Sequence, residues 1–144
     1  MENRDSIHLL KECDAGVKMA VNSINDVIDN VENAKLRQLL IESQDHHKKL
    51  EREIHTLLDE YDCSQKDPGT MATIMSWVKT NSKLMMNDDD SVIADLMTGG
   101  CDMGVKSLHK YLNQYPNANH KVKDICNRLI SIENALREKL QAYL

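Results

Sequence analysis

His47 and Glu133 are the side chains of this 144-residue chain whose type and spacing most invite chemistry. Each interrupts an otherwise apolar helical stripe, and they stand 86 residues apart at matching places in two halves that echo one another. The echo is clearest where Cys13-Asp14-Ala15-Gly16-Val17-Lys18 returns as Cys101-Asp102-Met103-Gly104-Val105-Lys106. It continues more weakly in Leu50, Ile54 and Leu58 against Leu136, Leu140 and Leu144. Internal repetition of this kind predicts two copies of one structural unit. That arrangement would bring His47 and Glu133 face to face near the centre of the molecule. A histidine and a carboxylate so placed could hold a metal ion or handle a proton, with Ser43, His46 and Asp14 or Asp102 as neighbours. They could also form a buried hydrogen bond that fixes helix register, since buried polar groups find partners. The second reading is preferred, because two ligands do not make a metal cage.

Other chemistries test poorly against the residues. A dinuclear carboxylate centre in a helical bundle takes a Glu from each of two helices and a Glu-x-x-His pair from each of the others. Here Glu42 is followed at i+3 by Asp45 and only at i+4 by His46, while the last helical stretch has His120 alone, at its far end. The full ligand set is missing, so a ferroxidase-type centre is rejected. The expectation is no cofactor, with iron, manganese or zinc as the alternative and His47, Glu133, Asp14, Asp102 and His46 as candidate ligands. Cys13, Cys63, Cys101 and Cys126 are too dispersed for a zinc knuckle and read as free thiols. Cys13 and Cys101 fall on apolar stripes beside aspartates, which should raise their pKa and suits packing better than redox work. Gly16 and Gly104 lie inside helical stretches, where each costs about 1 kcal/mol against Ala, and predict close helix approach. The acidic run Asn87 to Ser91 lacks the glycine and glutamate of a calcium loop and predicts a helix start.

Composition limits the remaining classes. There is one Trp and no Phe, aromatics make up 3%, and the net charge is −5. That leaves little to stack on bases and repels phosphate, so nucleic acid is not an expected partner. No apolar run reaches the roughly 18 residues of a membrane span, and the start does not resemble a signal peptide. A cytoplasmic location is expected.

These side chains must be positioned by helices, because Gly and Pro are scarce, at five and two. Leu10, Cys13, Val17, Ala20, Ile24, Val27 and Val31 step by three or four and predict a first helix from about Asp5 to Asn30. A second, to about Tyr61, turns Leu36, Leu40, Ser43, His47, Leu50, Ile54, Leu57 and Tyr61 inward, with Lys48, Lys49, Glu51, Arg52 and Glu53 on its solvated side. Pro68 can open a short amphipathic helix over 68–86 carrying Met71, Met75, Met85 and Met86 with Trp77. These predict core packing first and an adaptable contact surface second, and a dimer contact would be sought there. A third long helix, from about Ser91 to Tyr115, turns Ile93, Met97, Cys101, Gly104, Leu108 and Tyr111 or Leu112 inward. A fourth, from about His120 to Leu144, turns Val122, Ile125, Cys126, Leu129, Glu133, Leu136, Leu140 and Tyr143 inward. The hairpin 5–61, the crossover and the hairpin 91–144 have the order of ferritin-like bundles, in which one long connection joins two antiparallel pairs.

The stretches Ile41-Glu42-Ser43-Gln44-Asp45-His46, Trp77 to Met86, Ile93-Ala94-Asp95-Leu96-Met97 with Gly104-Val105, and Ile132-Glu133-Asn134-Ala135-Leu136 carry a family likeness. Together they resemble the small ferritin-like four-helix proteins of Clostridia and related Firmicutes, and more distantly the spore-coat F-like proteins. The resemblance implies an all-α, ferritin-like four-helix bundle in a single domain over 1–144. The functional expectation is a non-enzymatic structural or protein-interaction role, as a homo-oligomer or with a protein partner, linked to stress or sporulation. The alternative is a metal-binding or oxidoreductase protein with an atypical site around His47 and Glu133.

Overall fold

A computed structural model describes residues 2–61 and 89–144. Over these residues the chain is an all-α four-helix bundle. Helix α1 spans Glu2–Val27 and tightens into a 3₁₀ turn at Ile28–Asn30, and α2 spans Ala34–Glu60. After the second described stretch begins, α3 spans Asp90–Gln114, α4 spans His120–Leu140, and a 3₁₀ turn at Gln141–Tyr143 follows. The predicted helix at 68–86, with Trp77 and its methionines, lies outside the described residues, as does Cys63.

The turns are built by side chains that satisfy the first free amides of each helix. Asn33 Oδ1 accepts from the N–H groups of Lys35 and Leu36 at 2.8 and 3.1 Å and so caps α2. Asn119 Oδ1 accepts from the Val122 N–H at 3.0 Å and caps α4 in the same way. Asp90, in the first turn of α3, accepts from the N–H groups of Glu32 and Asn33 at 3.0 and 2.9 Å. The start of α3 is thereby fastened to the α1–α2 turn. At the opposite end, the Asn119 N–H donates to Ser6 Oγ at 2.7 Å and the Asn119 amide donates to the Tyr61 hydroxyl.

These contacts set the topology. The beginning of α1, the end of α2 and the α3–α4 turn share one end of the bundle. The α1–α2 turn and the start of α3 share the other, so α2 and α3 run in the same direction. The parallel run of α2 and α3 fits the order of helices expected from the sequence. Helix α1 touches all three other helices, whereas α2 and α3 scarcely meet.

The interior divides into two apolar clusters. One gathers Leu10, Cys13 and Val17 with Leu50, Ile54 and Leu58 and with Leu108, Ile125, Cys126 and Leu129. The other gathers Ile24, Val27 and Val31 with Leu36 and Leu40, Ile93, Met97 and Cys101, and Leu136 and Leu140. Between them lies a layer made of Ser43 and His47 on α2, Gly104 on α3 and Glu133 on α4. Nearly every seam position predicted from the sequence is buried. On α2 the last turn differs: Leu58 is fully buried, whereas Leu57 and Tyr61 are half-buried.

The glycines correct one expectation. A Cβ on Gly16 would meet only Leu129 Cδ2, at 3.7 Å, and one on Gly104 would lie 3.6 Å from Glu133 Oε2. Both are ordinary contacts, so neither glycine is required by backbone approach.

Candidate functional site

His47 and Glu133 meet in the polar layer, on α2 and α4. The imidazole is fully buried and Glu133 is 7% exposed. Nε2 of His47 faces Glu133 Oε1 in a hydrogen-bonded ion pair. Nδ1 lies 2.7 Å from the Ser43 carbonyl oxygen and 3.5 Å from the Ser43 hydroxyl. A carbonyl oxygen can only accept, so Nδ1 carries a hydrogen. Nε2 faces a carboxylate, so a second proton must lie between the two groups. The pair thus holds one proton in common and is neutral as a unit. Burial works against the charged imidazole, but the Glu133 hydrogen bond and charge and the Ser43 carbonyl outweigh it, leaving the His47 pKa above its ordinary 6.5.

The Cys101 thiol adjoins the same carboxylate. Burial, then the Glu133 charge and its hydrogen bond with the thiol, push the Cys101 pKa well up. Cys13 is also pushed up, by its hydrogen bond with Cys126 and then by burial, while that contact holds Cys126 down against burial. Cys13, Cys101 and Cys126 are all buried free thiols. For Cys13 and Cys101 this matches the packing role read from their stripes.

The other candidate ligands go elsewhere. Asp102 is exposed and pairs with Arg137 Nη1 at 2.9 Å. His46 is exposed at the flank of the α2 seam, away from the buried pair. Asp14 is 2% exposed, although its place beside Cys13 suggested a flanking position. It lies against α2, where Oδ1 accepts from His55 Nε2 at 2.8 Å and Oδ2 from Lys18 Nζ at 2.7 Å. Glu51, one turn before His55 on α2, completes a group of three potential ligands whose donor atoms all lie within 4.8 Å of one another. The charged face of α2 predicts Glu51 in solvent, and the sequence does not single out His55. Their i, i+4 spacing was the available signal, but only the α1–α2 contact shows that Asp14 completes the set.

Among the described residues, no helix is long and apolar enough to cross a membrane. The fold and its buried pair define an all-α helical bundle with a polar central layer. The chain belongs to the family described as Domain of unknown function (DUF2383), which it matches over residues 5–114, from α1 to the end of α3. Glu133 lies beyond that match. The chain is similar in fold to the crystal structure of a DUF305 fragment from Deinococcus radiodurans. The two are 12% identical, with a TM-score of 0.75 over 96% of this chain and 93% of that one. No curated protein matches.

Proposed function

We propose that this protein is a non-enzymatic structural or protein-interaction bundle that associates with copies of itself. One observation carries the reading: the polar groups of the central layer are spent on one another. Both ring nitrogens of His47 are engaged, and Glu133 is shared between His47 and the Cys101 thiol. A buried ion pair of this kind is a device for helix register more than for stability. Metal analysis of untagged protein purified without chelator tests the reading. The expected result is that no ion is lost when His47→Ala and Glu133→Ala are combined. Stoichiometric iron, manganese or zinc that disappears in that double variant would overturn it. Self-association is tested by sedimentation equilibrium, with a mass above the 16.4 kDa of one chain expected. A monomer at every concentration would remove that part of the proposal.

A metal-binding or oxidoreductase role at the same pair is the second reading. It is favoured by the Nδ1–H donation to the Ser43 carbonyl, because metal-bound histidines commonly donate their second ring N–H in this way. An ion would then take the place of the proton shared with Glu133.

A further inference from the structure

The geometry points to a divalent transition-metal site between α1 and α2, formed by Asp14, Glu51 and His55 and separate from the central His47–Glu133 pair. Three kinds of observation support it. The first is the donor set. Two carboxylates and one imidazole offer oxygen and nitrogen donors whose atoms already lie within 4.8 Å of one another. Ligands bound tetrahedrally at about 2.1 Å are about 3.4 Å apart, so modest side-chain rotations close the set around one ion. The imidazole favours zinc-like, manganous or ferrous ions over calcium or magnesium, which prefer an all-oxygen shell.

The second is position. Asp14 forms a buried floor at 2% exposure, while Glu51 and His55 are half-buried at the lip. An ion can therefore enter from solvent and keep a water in a remaining coordination position, as three-ligand protein sites do. The third is the way the buried carboxylate is already supported. Lys18 Nζ holds Oδ2 at 2.7 Å, whereas Oδ1 faces His55 Nε2 at 2.8 Å. Lys18 fixes the carboxylate from one side while its other oxygen stays turned toward His55. Binding would exchange the His55–Asp14 hydrogen bond for two metal bonds and leave the Lys18 contact as an outer support.

The inference does not depend on the proposed function, and its test separates the two. The full untagged chain carrying Cys63→Ser, which removes the thiol outside the described residues, is stripped of metal and titrated with Zn(II) alone by calorimetry. One equivalent should bind with a micromolar dissociation constant. His55→Gln and Glu51→Gln should each weaken binding at least 30-fold with an unchanged circular dichroism spectrum. His47→Leu combined with Glu133→Leu should leave it unchanged. Substoichiometric Mn(II) should broaden the ring resonances of His55 before those of any other histidine, a readout that needs no variant. Absence of saturable Zn(II) binding would overturn the assignment and leave Asp14, Lys18 and His55 as an ion-pair network only. So would binding indifferent to His55→Gln and Glu51→Gln, or Mn(II) broadening centred on another histidine.

Discussion

Replacing His47 and Glu133 by leucine, singly and together, measures what the central pair contributes. His47→Leu leaves the Glu133 carboxylate in the core, its side chain 9% exposed, with the Cys101 thiol as its remaining partner there. Breaking a buried pair in this way costs about 3–5 kcal/mol, and the residual exposure places the expected loss near the lower bound. Glu133→Leu should cost less. His47 can then shed its proton and keep the Nδ1–H bond to Ser43, leaving one unsatisfied nitrogen at about 1–2 kcal/mol. The double variant removes both charges and fills the layer with apolar volume, so it should fall within about 1 kcal/mol of wild type or exceed it. Urea unfolding followed by circular dichroism gives all four free energies. The reasoning predicts a coupling energy of at least about 3 kcal/mol between the two sites and His47→Leu as the worse single change. Additive single effects, or a larger loss for Glu133→Leu, would refute it.

The same pair predicts a pH dependence. The His47 pKa is raised in the folded state, so its stabilising contribution is fully present below about 6.5 and is lost as pH rises through the raised value. Melting temperatures taken upward from pH 6 should fall in wild type and stay flatter in the double leucine variant; parallel profiles would contradict this. Asp90→Ala removes two acceptors from the α1–α2 turn at the partly exposed start of α3 and should cost about 1 kcal/mol, or about 3 °C in melting temperature. An unchanged melting point would show that the tether contributes nothing. Gly16→Ala meets one side chain at ordinary distance, and Gly99→Ala meets nothing within 4 Å, so each should stabilise by about 0.5–1 kcal/mol in the same unfolding assay. A loss at Gly16 would reinstate the close helix approach inferred from the sequence.

The helices were legible because their seams are long and regular. A period of three to four residues held for four or more steps identifies the buried face whatever its neighbours are. The caps at Asn33 and Asn119 were not read from the sequence, although asparagine at a helix start is a usable signal. His47 and Glu133 could be paired because each broke such a seam and both fell at one offset. Asp14 could not be placed the same way. It sits one residue from the seam at Cys13, and a side chain there is buried or exposed according to which neighbouring helix covers it. Helix α2 covers Asp14, whereas Asp102, its counterpart in the echo, is left exposed beside Arg137. His55 and Glu51 are legible only once that contact is known, because i, i+4 charges on a helix are common on solvated faces. The switch from Leu57 to Leu58 at the end of α2 has a related cause, since one residue of phase decides which leucine meets the core.

The most direct test of a self-satisfied bundle centre is the protonation of the His47 ring, read by long-range proton–nitrogen NMR at pH 6. Both ring nitrogens should carry a proton that exchanges slowly with water, and the Nε2 proton should disappear in Glu133→Leu while Nδ1–H remains. A neutral imidazole with bare Nε2 in wild type, or ring protons exchanging freely with solvent, would contradict the account.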